Sequence, residues 1–314
     1  MNNIKFIDLF TGTGAFSYVL SKKYSCVFAN DMIKESEDIY NLNNEDDHFM
    51  LDDLNDVDVM DIPEHDILCG GFPCQPFSIA GMQKGFKDTR SNVFWKIIEI
   101  LKNRKPSIII LENVKNLKSH DKGNTYKTIE ENLTKLGYYI KSEILDTSKI
   151  TNIPHHRERI YIVGFLDKNM FDKFQFNFPN VENKSVIDFL ENNIPNNFYY
   201  TDKLKVYNTV KDNVTKHIST GTVYQYRRYY VRENKSKCCP TLTANMGGGG
   251  HNVPLIKDDK GIRKLTPREC FNLQGFPSNY KLPNISNSKL YKLAGNAVSI
   301  PVVELIAQKI NELI

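Results

Sequence analysis

The sequence lacks several features that would assign the protein to a particular class. Its six cysteines include no C-x-x-C pair, which argues against a zinc ribbon and a thioredoxin-like redox site. No apolar run approaches the roughly 20 residues of a membrane-spanning helix. Residues 4–10 already form an apolar run, which leaves no room for a secretory leader. We therefore expect reduced thiols, no membrane segment and a cytoplasmic location.

A strong net charge is also missing. The 314 residues carry a formal net charge of +4, with 40% hydrophobic and 25% charged residues. This is the composition of a globular protein with one large domain, or one large and one small domain. A mildly basic chain can bind nucleic acid, but its charge alone does not require that partner.

In the first half of the chain, short apolar runs alternate with stretches of helical periodicity. The apolar runs lie at residues 4–10, 26–29, 65–69, 107–111 and 160–165. This alternation predicts an α/β fold with a doubly wound, mainly parallel sheet that is covered on both faces. The alternation is lost near residue 170, and helical periodicity returns over 286–314. We predict one domain of residues 1–175, completed by 286–314, and a smaller irregular domain of residues 176–285.

Two candidate ligand positions follow the first two strands, at the sheet edge where open α/β sheets bind ligands. The T-G-T-G turn at residues 11–14 would let a nucleotide-like ligand approach the backbone. Asp31, at the end of the next strand, could accept hydrogen bonds from ribose hydroxyls. Taken alone, the turn is equally consistent with a plain tight turn.

Cys74 is a candidate nucleophile. It follows a strand and a Gly-Gly pair, between two prolines, in the sequence G-G-F-P-C-Q-P-F-S. A thiolate is a strong nucleophile, and a stiff loop anchored on a strand would fix its direction of attack. Cys69 lies inside the apolar run itself, so we interpret it as a core residue.

Two further polar groups adjoin predicted strands. Glu112 follows the run at 107–111, where its carboxyl group could have a raised pKa and act as an acid, or could simply begin a helix. The sequence H-H-R-E-R at residues 155–159 precedes the last strand. Its histidines are adjacent and point different ways, so we expect no metal there, whereas its arginines suit an anion or a polar heteroatom.

The predicted smaller domain contains a basic, aromatic segment. Residues 224–232 read Y-Q-Y-R-R-Y-Y-V-R, which suits phosphate neutralisation with base contacts, or a strand with one polar face. The glycine run at 247–250 could let a backbone lie close to nucleic acid, or could be a flexible turn.

Taken together and in this order, the motifs resemble those of the DNA (cytosine-5)-methyltransferases. The resemblance rests on D-L-F-T-G-T-G-A-F, G-F-P-C-Q-P-F-S, E-N-V, H-R-E-R, R-K-L-T-P-R-E-C-x-x-L-Q-G-F-P and A-G-N-A-V, and it covers nearly the whole chain outside the variable region. It implies a Rossmann-like S-adenosylmethionine-dependent fold, with residues 176–285 as the target-recognition domain. Loop geometry in that domain would decide which DNA sequence is recognised.

The resemblance also implies roles for individual residues. The catalytic residues would be Cys74, Glu112, Arg157 and Arg159. The cofactor-binding residues would be Phe10, Gly12, Gly14, Asp31, Met32, Asp53, Leu54, Pro73 and Asn296. The DNA-binding residues would be Ser78, Arg227, Arg228, Arg232, Thr241, Gly247 and Gly248. Two positions depart from the family pattern, because His155 stands where the family has glutamine and Met32 stands where an aromatic residue is common.

The implied reaction is methyl transfer from S-adenosylmethionine, without a metal, to C5 of a cytosine flipped out of a specific short duplex DNA sequence. Cys74 would form a covalent adduct with C6 of the base, and the arginines would hold O2 of the base and the active-site loop. We expect a monomer on DNA that serves as the modification enzyme of a restriction-modification system. A cognate restriction endonuclease would act on the same site without direct contact.

Two alternatives share these motifs. A tRNA cytosine-5 methyltransferase would have the same catalytic residues, but the sizeable, basic and aromatic variable region favours DNA. An inactive DNA-binding homologue is disfavoured by the intact set Cys74, Glu112 and Arg159. DNA enzymes that methylate amino groups carry D/N-P-P-Y, and this chain has no such run.

Overall fold

A computed structural model of the chain describes residues 4–45, 48–73, 93–227, 229–248 and 252–314. Its contacts group the chain into two compact units. The first unit comprises Met1–Leu145, Glu158–Asn177 and Val303–Ile314, and the second comprises Asp146–Arg157 and Phe178–Val302. The domain boundaries expected at residues 175 and 286 stay a prediction.

A mixed sheet forms the centre of the first unit. Among the described residues its seven strands are β1 (Lys5–Leu9), β2 (Ser25–Asp31), β3 (Phe49–Leu51), β4 (Ile67–Gly71), β5 (Ile108–Val114), β6 (Tyr139–Asp146) and β7 (Glu158–Phe165). Their order across the sheet is β3-β2-β1-β4-β5-β7-β6. The pairings from β3 to β5 are parallel, whereas β5 and β7 are antiparallel. The prediction of a doubly wound, mainly parallel sheet is therefore confirmed.

Apolar side chains from the central strands and from two helices of this unit, at residues 93–104 and 124–135, form one buried cluster. The helices of this unit, numbered along the whole chain, are α1 (Ala15–Leu20), α2 (Lys34–Asn43), α3 (Val93–Arg104), α4 (Asn124–Lys135), α6 (Lys168–Lys173) and the C-terminal part of α10 (Ile300–Asn311). Ile7, Leu68 and Ile109 on central strands are fully buried in the same cluster as Phe94 and Ile97 of α3. These central strands carry near-continuous apolar residues, as a sheet covered on both faces requires.

The second unit contains a small sheet that the sequence did not predict. Its described strands are β8 (Val223–Arg227), β9 (Tyr230–Asn234), β10 (Pro254–Asp258) and β11 (Gly261–Lys264), in the antiparallel order β11-β10-β8-β9. The unit also holds α5 (Thr147–Ile150), α7 (Tyr207–Asn213), α8 (Pro267–Asn272), α9 (Asn287–Asn296) and the start of α10. Strands of four or five residues are too short to show a clear alternation of apolar and polar residues.

One strand boundary differs from the sequence-based expectation in a way that matters for the site. The apolar run at residues 107–111 predicts a strand that ends at Leu111, but the corresponding strand, β5, continues to Val114. The extension is stabilised by pairing with β7, in a register that runs from Ile108 opposite Phe165 to Val114 opposite Arg159. The interpretation of Glu112 as a helix-initiating carboxylate is therefore wrong, because Glu112 is a strand residue.

One segment is long and apolar enough to pass a test for a membrane span. It covers Asn287–Asn311, and most of it is buried inside the protein. The structure divides this segment into α9 and α10, which are separated by the non-helical residues 297–299. Burial against other parts of the chain is the behaviour of core helices in a folded protein.

A buried ion pair joins β11 to α8 in the second unit. The guanidinium of Arg263 donates to both carboxylate oxygens of Glu269, each at 2.8 Å, and its Nε donates to Asp258 at 2.8 Å. The Arg263 and Glu269 side chains are 2% and 0% exposed. Glu269 also accepts from the backbone N–H of Thr266 and so caps the first turn of α8.

We predict that Glu269→Ala lowers the free energy of unfolding by about 3–5 kcal/mol, because Arg263 would stay charged and buried without its main partner. Urea unfolding followed by circular dichroism measures this loss. The matched control is Glu304→Ala, which breaks the exposed pair between Lys22 and Glu304 and should cost no more than about 1 kcal/mol. Similar losses in the two variants would contradict the prediction.

Candidate active site and nucleic-acid interface

The turn between β1 and α1 has an unusual backbone. Phe10, Gly12 and Gly14 have φ angles of 54°, 55° and 67°, all in the left-handed region. Glycine adopts this region without penalty, whereas a residue with a side chain, such as Phe10, is strained there. The N–H of Gly14 donates to Thr11 O at 2.8 Å and closes the turn. The predicted glycine turn is therefore a sharp bend at the end of β1, in which Gly12 is half-buried and Gly14 is buried.

Asp31 lies at the end of β2 and contacts this turn. Its Oδ2 accepts from the N–H of Gly12 and its Oδ1 from the N–H of Ile33, both at 2.9 Å. Burial raises the pKa of Asp31, and these two hydrogen bonds oppose the shift. The carboxylate is thus held in place by backbone amides, beside the turn where the sequence predicted a nucleotide-like ligand.

The remaining cofactor-binding candidates of the first unit lie on the segments that leave β2, β3 and β4. Met32 follows Asp31 and is 66% exposed, which is unusual for a large apolar side chain. Asp53 accepts from the backbone N–H of Asn55 at 3.0 Å. Leu54 is buried in the core, and Pro73 is exposed at the last described position before residue 93.

The chain leaving β4 is held firmly on both sides. Gly70 lies so close to β1 that a Cβ there would come within 2.7 Å of Leu9 O. The side-chain amide of Asn113 donates to Phe72 O at 2.8 Å, which ties the end of β5 to the residue before Pro73. Cys74 and Ser78 lie outside the described residues. Cys69 is fully buried in β4, and burial raises the pKa of its thiol, in line with its interpretation as a core residue.

Glu112 and Arg159 form an ion pair at the same edge of the sheet. Arg159 Nε lies 3.2 Å from Glu112 Oε1, and the two side chains are 14% and 9% exposed. The register explains the contact. Glu112 is opposite Tyr161, and Arg159 lies two positions from Tyr161 along β7, so Glu112 and Arg159 are diagonal neighbours on the same face of the sheet. On its other side Glu112 is opposite Gly71 of β4. A buried carboxylate is costly unless it is paired, so this pair holds Glu112 beside the chain that leads to Cys74.

Arg157 has different partners from Arg159. It is 1% exposed, and its guanidinium donates to Leu242 O at 3.1 Å, to Gly295 O at 3.3 Å and to Ala297 O at 2.6 Å. The last two carbonyls flank Asn296, the exposed residue that ends α9. These contacts hold backbone in the second unit, and a catalytic role for Arg157 stays a prediction.

Two of the predicted DNA-binding arginines, Arg227 and Arg232, lie in β8 and β9 of the second unit. Arg227 is opposite Tyr230, and Gln225 is opposite Arg232, so these four residues share one face. Arg227 and Arg232 are exposed, and Arg227 donates to the Gln225 side chain at 3.0 Å. At the turn, Tyr229 is 85% exposed. The hairpin therefore presents cations and aromatic rings together, and Arg228 lies outside the described residues.

The other DNA-binding candidates lie in the segment between β9 and β10. Thr241 donates its hydroxyl to His156 O at 2.6 Å. Gly247 has a φ of 80°, and a Cβ there would lie 2.7 Å from the ring of Tyr291, whereas a Cβ on Gly248 would meet nothing within 4 Å. Gly247 is thus required by local packing, while Gly248 is open to an approaching molecule.

Sequence reasoning missed two residues of this edge, Asp8 and Asn113. The Asp8 carboxylate is 1% exposed and accepts from the Ser17 backbone N–H at 3.1 Å and from its hydroxyl at 2.7 Å. Burial raises the pKa of Asp8 to about 7, and the Ser17 hydrogen bonds oppose the shift. A carboxylate inside an apolar strand was the available signal. No group of three or more potential metal ligands lies among the residues that the structure describes.

Comparison with known proteins assigns the chain to a family. Residues 4–312 match the model of the C-5 cytosine-specific DNA methylases. The chain is 44% identical over 313 residues to the Type II methyltransferase M.Bsp6I of Bacillus sp. (strain RFL6), covering 98% of each protein. It is 35% identical over 323 residues to the Type II methyltransferase M.HhaI of Haemophilus parahaemolyticus, covering 99% of this chain and 95% of that protein.

Solved structures share the fold. A Spodoptera frugiperda DNMT2 mutant superposes with a TM-score of 0.77 at 18% identity, covering 98% of this chain and 100% of that one. The Dnmt2 methyltransferase of S. pombe gives a TM-score of 0.74 at 21% identity, covering 99% of each chain. At such low identity these likenesses bear on the fold alone. From the family match and the full-length relatives, the chain belongs to the C-5 cytosine-specific DNA methylase family and is a DNA (cytosine-5)-methyltransferase.

Proposed function

We propose that this enzyme methylates C5 of a cytosine that is flipped out of a specific short duplex DNA sequence, through a covalent adduct with Cys74. The observation that carries the proposal is the buried ion pair of Glu112 and Arg159, which lies beside the strand end that leads to Cys74. An acid held by a cation, beside a strand that ends three residues before a candidate nucleophile, suits the addition of a thiolate to a cytosine ring.

The residues at the ends of β1 and β2 fit S-adenosylmethionine. The bend of Phe10, Gly12 and Gly14 lies at the strand ends where open α/β sheets bind ligands, and the half-buried Asp31 carboxylate suits ribose hydroxyls. The exposed side chain of Met32 offers an apolar surface for an adenine ring. When bound, S-adenosylmethionine supplies an electrophilic methyl group on its sulfonium.

The chain's own residues would activate the base. C5 of cytosine is a poor nucleophile until the Cys74 thiolate forms a bond to C6 and pushes electrons toward N3. Glu112 would donate a hydrogen bond or proton to N3 and accept from the exocyclic amine, which makes C5 an enamine-like carbon. Arg159 would orient Glu112 and hold O2 of the base. C5 would then bond to the methyl group, with S-adenosylhomocysteine as the leaving group. Loss of the C5 proton to solvent, return of the N3 proton to Glu112 and expulsion of the Cys74 thiolate would restore the aromatic ring.

Flipping the cytosine out of the duplex costs a few kcal/mol, and contacts to the DNA must offset that cost. Arg227 and Arg232 lie on one face of the β8–β9 hairpin, where they suit phosphates. We propose the enzyme as a cytoplasmic monomer and as the modification member of a restriction-modification system. A restriction endonuclease would share its DNA site without direct contact.

The first test is transfer of labelled methyl groups to unmodified genomic DNA and, separately, to bulk tRNA. We predict that DNA is labelled and that Cys74→Ala abolishes labelling, because no adduct can form. The matched control is Cys69→Ala, five positions earlier in β4, which should retain transfer because the buried Cys69 thiol has a raised pKa and faces the core.

The outcomes separate the alternatives. Label on tRNA that equals or exceeds label on DNA would retain the chemistry and replace the substrate. Tight DNA binding without label, and without a covalent adduct on DNA containing 5-fluorocytosine, would identify an inactive homologue.

We predict that Glu112→Gln lowers the rate of methyl transfer by about 10²–10⁴-fold, since an amide cannot donate a proton to N3. Single-turnover kinetics with saturating cofactor and DNA measure this rate. The matched control is Glu158→Gln, which changes a partly exposed carboxylate that pairs with Lys115 and should alter the rate less than threefold, on the order of what a surface ion pair contributes. A rate close to that of the unmodified enzyme would rule out acid catalysis by Glu112.

We predict that Asp31→Ala weakens binding of S-adenosylmethionine by roughly ten- to a hundredfold, the value of a hydrogen bond to a charged group. The loss has two sources, because Asp31 would bind ribose and also holds the N–H of Gly12. Equilibrium dialysis measures the dissociation constant. Asp56→Ala, at an exposed carboxylate after β3, is the control and should leave affinity unchanged. Unchanged affinity in Asp31→Ala would remove Asp31 from the cofactor site.

A further inference from the structure

His155 is completely buried, and both of its ring nitrogens have backbone partners in the second unit. Nδ1 lies 3.1 Å from Leu273 O, and Nε2 lies 3.2 Å from the N–H nitrogen of Leu242. A carbonyl oxygen can only accept a hydrogen bond and an N–H can only donate one. The contacts therefore require a neutral imidazole whose proton is on Nδ1.

This pair of bonds is one that a glutamine side chain can also make. A carboxamide offers one oxygen that accepts and one nitrogen that donates, which matches an N–H on one side and a carbonyl on the other. Neutral His155 thus supplies the same donor and acceptor to the same two segments.

His155 acts at a junction of several segments. The peptide group of Leu242 is held from both ends, because its N–H donates to His155 and its carbonyl accepts from Arg157 at 3.1 Å. Arg157 also binds the carbonyls of Gly295 and Ala297, on either side of Asn296. The loop before β7, the segment after β9, the end of α8 and the end of α9 are therefore joined through His155 and Arg157.

We infer that His155 is a positioning residue that orders the backbone around Asn296 only while its ring is neutral, so that acid releases a junction that glutamine would hold at any pH. The part of this inference that concerns Asn296 rests on the proposed function, which makes Asn296 a cofactor-binding residue. Protonation would give the ring a second N–H donor, which would point at the N–H of Leu242, and that bond would be lost.

The groups around His155 also disfavour a second cation. The buried Asp146 carboxylate accepts from the backbone N–H of Arg157 at 3.3 Å and lies 3.3 Å from His156 Nδ1, so its two oxygens have partners other than the His155 ring. Arg157, which shares the Leu242 peptide, is itself charged and buried.

Two buried thiols lie in this region: Cys239, whose backbone pairs with that of His155, and Cys270 of α8. Burial raises the pKa of both thiols, so neither supplies an anion. Glu269 of α8 is occupied by its bidentate pair with Arg263.

The test compares the unfolding equilibrium of the wild type and His155→Gln as a function of pH. An unfolded histidine binds a proton with a pKa of about 6.5, whereas the intact junction of the folded protein binds only the neutral ring, through Leu273 O and the N–H of Leu242. The stability that the junction contributes is therefore present above that pH and is lost as the pH falls. Relative to His155→Gln, the unfolding constant of the wild type should rise by about tenfold between pH 7.5 and pH 5.5. At pH 7.5 the two proteins should bind S-adenosylmethionine with similar affinity.

Two further variants serve as controls. His156→Gln changes the adjacent histidine, whose side chain is 42% exposed and makes neither of the two His155 bonds, so this variant should retain the acid-side loss of the wild type. His155→Leu makes neither bond and should be less stable than His155→Gln at every pH. A histidine ¹⁵N NMR spectrum of the wild type at pH 7.5 should show His155 as the Nδ1–H tautomer.

Several results would overturn the inference. They are parallel pH profiles for the wild type and His155→Gln, a His155→Gln protein that does not fold at pH 7.5, or an Nε2–H tautomer. Because unfolding and NMR need no substrate, they test His155 even if methyl transfer fails. Weak cofactor binding in every variant, with the expected unfolding profiles, would contradict the proposed function and leave the role of His155 in place.

Discussion

The candidate site depends on the antiparallel pairing of β5 with β7. The parallel strands β1, β4 and β5 all end at one edge of the sheet, so a further parallel strand would begin at the opposite edge. Because β7 runs the other way, its first residues lie beside the last residues of β5. This reversal brings Arg159 within 3.2 Å of Glu112, and it gives a buried acid the cation that makes its burial tolerable.

Close packing and one side-chain hydrogen bond fix the chain at the end of β4 as far as Phe72. Gly70 allows β4 to approach Leu9 of β1 at a distance that no side chain would permit. The Asn113 side chain then holds Phe72 O, two residues before the proposed nucleophile. Rigid strand ends are a suitable base for a catalytic residue, because a small displacement of the attacking atom costs a large part of the rate.

The H-R-E-R segment divides its residues between two tasks. Arg159 pairs with a carboxylate in the first unit, whereas Arg157 and His155 bind only backbone groups in the contacts described above, all in the second unit. A guanidinium with several fixed donors suits three carbonyls as well as it suits one carboxylate. A short motif can therefore contain one residue for chemistry and others that order the surrounding backbone.

The pattern of apolar residues by itself determined where the central strands and helices alternate along the chain. The motifs and their order along the sequence determined the family. Both can be read from the sequence because neither depends on which distant residues become neighbours. The core position of Cys69 followed in the same way. The sheet of the second unit, the strands β3 and β6, and the extension of β5 through Glu112 were decided only in the tertiary structure. So were the carbonyl partners of Arg157 and the tautomer of His155, because each depends on backbone groups far away in sequence, and a local pattern carries no information about which distant groups will be its neighbours.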